Sequence, residues 1–287
     1  MPTYKRPDKL KRAVESVLNQ TFGDFEIVIV NNANEDVILP IQDNRITLLQ
    51  EKQKGANFAR NKGIKNSNGE FICFLDDDDV YLENHLNTLH DLIKSNGEKV
   101  GLYRTFTKVE LSEGVFEDQK IITKDEGETE LDHLLSVLLV MHCVCCHREV
   151  LLNVTFDPEI KVAQDYHLWI RILSKYPIFE APKITTIYYK TEDSISSPSM
   201  EKYFLYIDVY GSLFKQKNIS AQLSKKIINT RMIRYYDLLL SCYYKELSIK
   251  RFIRSSINTT KYNIKFIFSV HYLKLFIKFW MYKIIKK

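Results

Sequence analysis

No run of 18 residues in this chain is free of charge, so none reads as a membrane-spanning helix. No signal peptide opens it, and the five cysteines are an odd number. Together these fit reduced thiols in a cytoplasm rather than a disulfide framework. No motif of a nucleic-acid reader is present, so nucleic acid is not an expected partner. No Gly- and Lys/Arg-rich phosphate loop lies near the N-terminus, which disfavours a nucleotidyltransferase. No internal repeat is found. No buried strand precedes Pro2, although a βαβ design wants one there. Beyond Lys245 acidic residues are almost absent, with Glu246 alone against many lysines and arginines.

What is present suffices for one sizeable core with an appended module: 287 residues, 45% hydrophobic and 27% charged, with a net charge of +5. The most informative segment is Phe74-Leu75-Asp76-Asp77-Asp78-Asp79. Four adjacent carboxylates repel one another and belong in a solvated tail. Here they directly follow Phe71-Ile72-Cys73-Phe74-Leu75, an apolar run that reads as a buried strand. The carboxyl ends of strands are where open α/β sheets build their sites. Oxygen-rich clusters suit Mg²⁺ or Mn²⁺, which also hold substrate phosphates.

The flanking pattern is α/β. Leu10, Val14, Val17 and Leu18 form one stripe of a helix over residues 7–20, with Asp8 as its expected cap. Residues 25–30 and 46–50 read as strands, and Gly55 opens a helix through Ile64. A helix is expected over 82–94, strand-like sequence over 100–122, and helical sequence over 131–139. His142 to Cys146 reads as a short buried strand with small thiols rather than a zinc site, because its spacing does not wrap one ion. Residues 149–154 make a helical turn, 165–175 a helix and 184–189 a strand. The Ser/Pro loop at 194–199 is the expected boundary between a catalytic domain, residues 1–197, and a helical basic-aromatic region, residues 198–287.

Pro2-Thr3-Tyr4-Lys5-Arg6, Ala13 through Thr21, Phe25 through Val30, Ala59 through Ile64, Gly69-Glu70-Phe71 into the aspartate run, Phe156-Asp157-Pro158 and Gln164 through Arg171 occur in an order that resembles family 2 glycosyltransferases of the GT-A fold. The resemblance covers residues 2–197. It implies a mixed α/β sheet flanked by helices, followed here by an α-helical C-terminal segment. It also implies an inverting transfer of a sugar from a nucleotide donor to a saccharide, in surface polysaccharide assembly. Asp76 and Asp78 match the D-x-D element, with Asp78 the direct metal ligand and Asp76 nearer the ribose or a metal-bound water. Asp77 joins Thr3, Tyr4, Asn31, Asn32 and Arg60 on the donor side. Asp79 reads as a helix cap or a further ligand, Arg60 as a base or phosphate contact or a surface ion pair. Asp165 matches the catalytic base, and an N-cap role is compatible with it. Trp169 is read as core.

The sequence departs from that family at four places. Asn31-Asn32 replaces an aspartate pair, which leaves the nucleobase open, with a UDP-sugar ranked first. Gln164 stands where an acid precedes the base and is at most a positioning group. The first strand is missing before Pro2, which implies either a start lying upstream or an inactive copy. A late histidine is replaced near Glu192. These departures motivate the alternative of a catalytically dead sugar-nucleotide-binding or scaffold relative. The aromatic, lysine-rich residues 263–287 suggest a peripheral contact with the inner face of the cell membrane and a lipid-linked acceptor, against packing on protein.

Overall fold

The computed structural model describes residues 1–35, 37, 41–189 and 199–245. The strands and helices, in chain order, are β1 (Pro2–Thr3), α1 (Pro7–Leu18), β2 (Ile27–Asn31), β3 (Ile46–Gln50), α2 (Ala56–Asn66), β4 (Phe71–Cys73), β5 (Val80–Tyr81), α3 (His85–Ser95), β6 (Leu102–Ser112), β7 (Val115–Asp118), α4 (Glu130–Ser136), a 3₁₀ turn (Met141–Cys143), β8 (Val144–His147), α5 (Arg148–Asn153), α6 (Gln164–Leu173), β9 (Ile178–Tyr189), α7 (Met200–Phe214), α8 (Lys217–Ser220) and α9 (Lys225–Lys245).

Two sheets carry the α/β layer. One is parallel, in the order β1-β2-β3; the other is mixed, in the order β4-β8-β6-β9-β5, with β7 on β6. The place where a first strand was expected to be missing is held by two residues, Pro2 and Thr3. Pro2 and Thr3 lie opposite Val30 and Asn31. Met1 O accepts from Val30 N–H and Thr3 O from Asn32 N–H. The helix α1 begins at Pro7, whose fixed φ suits the first helical position. Asp8 falls inside the first turn and is not the cap, which is Arg6 without a side-chain bond. Three residues of the expected stripe, Leu10, Val14 and Val17, are buried and with Ala13 meet Ile27, Ile29, Leu75 and Tyr81, while Leu18 is only partly buried against them. Each such aliphatic side chain contributes roughly 1.5–3 kcal/mol by leaving water.

Two further differences have local causes. His142 and Cys143 lie in the 3₁₀ turn, so the expected strand starts at Val144. Cys143, Cys145 and Cys146 are all buried. The helix expected from residue 82 starts at His85, because Val80 and Tyr81 pair antiparallel with Ile187 and Thr186. Trp169 lies in the core, edge-on to Phe74.

A charged group is also built into the interior. Arg104 on β6, fully buried, donates from Nε to Glu180 Oε1 on β9 at 2.5 Å and from Nη2 to Ile122 O at 2.7 Å. His133 of α4 lies 2.9 Å from the same carboxylate, and Lys124 N–H donates to its other oxygen at 2.8 Å. One carboxylate thereby ties β6, α4 and the segment before α4 to β9.

The chain divides into two compact units, Met1–Ile160 with Gln164–Ser194, and Lys161–Ala163 with Ile195–Lys287. In the second, Tyr235 of α9 stacks on Tyr206 and Tyr210 of α7, at 4.9 and 5.4 Å between centroids. Among the described residues no helix is long and apolar enough to cross a membrane. Glu192, residues 194–198 and the aromatic segment 263–287 lie outside the described residues.

Replacing Arg104 by Met leaves the Glu180 carboxylate buried without its guanidinium. The expected loss is about 3 kcal/mol, read as a lower urea midpoint by circular dichroism; an unchanged midpoint would contradict this role.

Candidate active site

The site lies where β1 and β2 end and where the chain leaves β4. The four aspartates do not share partners evenly: Asp76 and Asp79 are taken by groups from separate parts of the fold, and Asp77 and Asp78 by the segment Thr3–Arg6. Asp76 Oδ1 receives Arg60 Nη2 from α2 at 2.8 Å. Asp77 Oδ2 receives Thr3 Oγ1 at 2.8 Å and Tyr4 N–H at 3.4 Å, which locks the end of β1 to the aspartate turn. Asp78 Oδ2 pairs with Arg6 Nη1 at 2.9 Å, and that nitrogen is 3.5 Å from Asp77 Oδ1. Asp79 Oδ2 lies 2.8 Å from His142 Nδ1, and its Oδ1 receives Tyr189 N–H at 3.0 Å.

Asp79 is therefore neither cap nor solvent-facing ligand. It is buried six residues ahead of α3, whose cap is Asn84. Burial would discharge His142, but the Asp79 carboxylate beside it wins and raises its pKa well above the usual value. The charged ring's other nitrogen, Nε2, faces Thr107 Oγ1 at 3.2 Å. The turn is braced from outside as well. Arg12 Nη2 donates to Asp78 O at 2.7 Å while its guanidinium lies 3.7 Å above the Tyr189 ring.

The charge balance falls short at one place. Burial alone would raise Asp76, but Arg60, by charge and hydrogen bond, brings it below the usual carboxylate value. Burial raises Asp77. Asp78 is pushed up to about 6, first by burial and then by Asp79, Asp76 and Asp77, with Arg6 offsetting part. That surplus of negative charge, on hard oxygen donors, fits a divalent cation. Among the described residues no three His, Cys, Asp or Glu side chains converge as a metal cage. Mg²⁺-type sites on one or two carboxylates complete their shell with water and substrate phosphates, so Asp78 and Asp76 suit such an ion without a third protein ligand.

Arg60 links this turn to the other half of the site. Its Nη1 donates to Gln164 Oε1 at 3.0 Å, while its Nη2 holds Asp76. Gln164 begins α6, and Asp165 follows it. Asp165 Oδ1 accepts from Tyr166 N–H at 2.8 Å. Burial pushes its carboxyl up; Arg60 and Asp76 are near enough to act on it, in opposite senses.

Asn31 and Asn32 hold the loop after β2. Asn31 donates to Glu35 O and Gln50 Oε1 and accepts from Ala33 N–H. Asn32 donates to Glu51 O and Gln53 O and accepts from Gly55 N–H at 2.7 Å. Gly55 has φ 141°, a backbone conformation open to glycine, and caps α2. Asn31 is only 1% exposed. Tyr4 is exposed, with Lys54 Nζ 5.9 Å from its ring centre.

Residues 1–146 match the family model described as glycosyl transferase family 2. The chain belongs to glycosyltransferase family 2. It is 27% identical over 180 residues to an uncharacterized glycosyltransferase of Rickettsia bellii, covering 61% of this chain but only 26% of that longer one. It is 27% identical over 278 residues to the GalNAc(5)-diNAcBac-PP-undecaprenol beta-1,3-glucosyltransferase of Campylobacter jejuni, covering 87% of each chain. Among solved structures, S. aureus TarS 1–349 in complex with UDP-GlcNAc superposes with a TM-score of 0.64 at 17% identity, over 88% of this chain and 77% of that one. The mannosyltransferase PcManGT from Pyrobaculum calidifontis, in complex with GDP-Man and Mn²⁺, gives 0.54 at 12%, over 96% and 82%. The fold is the GT-A fold of this family.

Three residues of the site carried no expected role in the sequence: Arg6, Arg12 and His142. Arg6 stood in the Thr3-Tyr4-Lys5-Arg6 motif, where its place beside the aspartates was a usable signal. Arg12 and His142 reach the turn only through the tertiary fold.

Because folded Asp78 binds its proton more tightly than at the ordinary value of 3.8, its charge penalises the folded state above pH 6 and not below pH 3.8. Asp78→Asn is expected to raise the melting temperature at pH 8, with the gain vanishing at pH 4. Thermal denaturation at both pH values checks this, and an equal gain at both would contradict it.

Proposed function

We propose that this family 2 glycosyltransferase moves a sugar from a nucleotide donor to the hydroxyl of a saccharide carried on a lipid diphosphate, with inversion, as a step in polysaccharide assembly. The observation that carries the reading is the Asp76–Arg60–Gln164 connection. One guanidinium spans the carboxylate of the aspartate turn and the residue beside Asp165, which puts a negative donor-side group and a raised-pKa carboxylate at one place.

Asp165 acts as general base. The acceptor hydroxyl has a high pKa and must lose its proton as it attacks the anomeric carbon; a carboxylate with elevated pKa is better matched to that transfer. The attack and the departure of the nucleoside diphosphate form one displacement, so the anomeric centre inverts. Arg60 and Arg6 place positive charge beside the leaving group, and Gln164 keeps Arg60 oriented. Thr3, Tyr4, Asp77, Asn31 and Asn32 form the nucleoside end. Each asparagine Oδ1 keeps a second lone pair for a base N–H, and exposed Tyr4 offers a ring face. A UDP-sugar is the first donor to test. Mg²⁺ or Mn²⁺ on Asp78 and Asp76, when bound, supplies Lewis-acid neutralisation of the departing diphosphate.

The lipid-linked acceptor is drawn from the undecaprenol substrate in the name of the Campylobacter relative and from the basic-aromatic sequence of residues 263–287. Such an acceptor supports a site of action at the inner face of the cell membrane.

Asp165→Asn is expected to lower turnover by about 10²–10⁴-fold while donor binding, measured by calorimetry with a non-hydrolysable UDP-sugar, stays at the wild-type level. Proton NMR of the product should give the anomeric configuration opposite to the donor's. Wild-type turnover in the variant, or a retained configuration, would overturn the mechanism. Donor binding without turnover in wild type, across acceptors, would favour a non-catalytic binding protein.

A further inference from the structure

Asp76 and Asp78 are the two carboxylates of the four whose side chains have a single partner among the described residues, an arginine in each case. Asp76 has Arg60, Asp77 has Thr3 and Tyr4 N–H besides Arg6, and Asp79 has His142 and Tyr189 N–H. Asp78 has Arg6 Nη1 alone, at 2.9 Å.

The two arginines are fixed very differently. Arg60 is 9% exposed, lies against the Phe156 ring, and uses one Nη on Gln164 and the other on Asp76. Arg6 is 30% exposed and uses Nη1 only; its Nε and Nη2 make no hydrogen bond or ion pair among the described residues. Its backbone is constrained on both sides. Lys5 before it has φ 55°, and Pro7 after it is the first residue of α1. Any movement of Arg6 is therefore a movement of its side chain, and three of its N–H donors remain unused in a fork that matches phosphate oxygens.

We propose that Arg6 is a resident counter-ion of Asp78 that a divalent cation displaces, and that the freed guanidinium then binds a diphosphate oxygen of the nucleotide. This rests on the metal and donor reading given above. Two cations cannot both sit against one carboxylate without repelling each other, and at equal distance the doubly charged one is held more strongly. The displaced guanidinium then stands beside the strongest new anion at the site, the donor diphosphate. Arg6 thus has two successive partners: the protein's own carboxylate when the metal-nucleotide is away, and the substrate when it is present.

The test uses the full chain with Mn²⁺ alone, free Mn²⁺ being counted by electron paramagnetic resonance. Arg6→Gln is expected to bind Mn²⁺ about five-fold more tightly than wild type, the competitor having been removed. With saturating Mn²⁺, the same variant is expected to bind UDP about ten-fold more weakly, measured by calorimetry. Arg6→Lys keeps the charge without the fork and should bind Mn²⁺ as wild type does but UDP more weakly. Unchanged or weaker Mn²⁺ binding by Arg6→Gln, with a wild-type melting curve, overturns the inference. Asp78→Asn separates the two levels. If it loses Mn²⁺ binding while Arg6→Gln matches wild type, the Arg6 role alone fails; if it binds Mn²⁺ as wild type does, the metal assignment fails and the Arg6 role with it.

Discussion

Four carboxylates on consecutive residues can stay folded only if each finds its own compensation, and the architecture around the site is organised by that requirement. Arg60 comes from α2, Thr3 and Arg6 from the edge of β1, His142 from the turn before β8, and the Tyr189 N–H from the end of β9. These segments are far apart in sequence, and the aspartate turn is where they meet. The compensation is uneven. Asp76 and Asp79 are paired with groups anchored in the fold, whereas Asp78 keeps a raised pKa and is paired only with the partly exposed Arg6. The turn is not fully neutralised: the carboxyls of Asp77 and Asp78 are both held above the usual carboxylate value.

Much of this was legible in the chain, for identifiable reasons. The Leu10–Val14–Val17 stripe has helical spacing, and those residues are buried on β2. Residues 46–50 form β3 within the expected bounds. The ordered motifs led to the family, and the structure sets Asp76, Arg60, Gln164 and Asp165 in one neighbourhood. What was not legible depends on pairing across the sheet. Val80-Tyr81 becomes a strand only because β9 lies opposite it. His142 lies outside the apparent strand and meets Asp79, 63 positions earlier in the numbering, a contact that only the tertiary fold makes. Asp8 looked like a cap, but Pro7 fixed the helix start one residue ahead of it.

Arg104 and Arg60 illustrate two uses of the same side chain. Arg104 is enclosed by Glu180, His133 and a backbone carbonyl, and it serves the joining of β6 to β9. Arg60 is nearly as enclosed, yet its two Nη groups join the start of α6 at Gln164 to the aspartate turn at Asp76. Its Nε lacks a hydrogen-bond partner among the described residues.

The asparagine pair after β2 has a consequence for how this sequence can change over evolutionary time. Both amides donate to carbonyl-type oxygens: Asn31 to Glu35 O and Gln50 Oε1, Asn32 to Glu51 O and Gln53 O. An aspartate at either position has the same shape but no N–H, so it would set anionic oxygens against two acceptors at once. The aspartate pair usual in the family is therefore not one neutral step away from this chain. Drift between the two motifs must pass through a destabilised intermediate unless residues 50–53 are remodelled together with it.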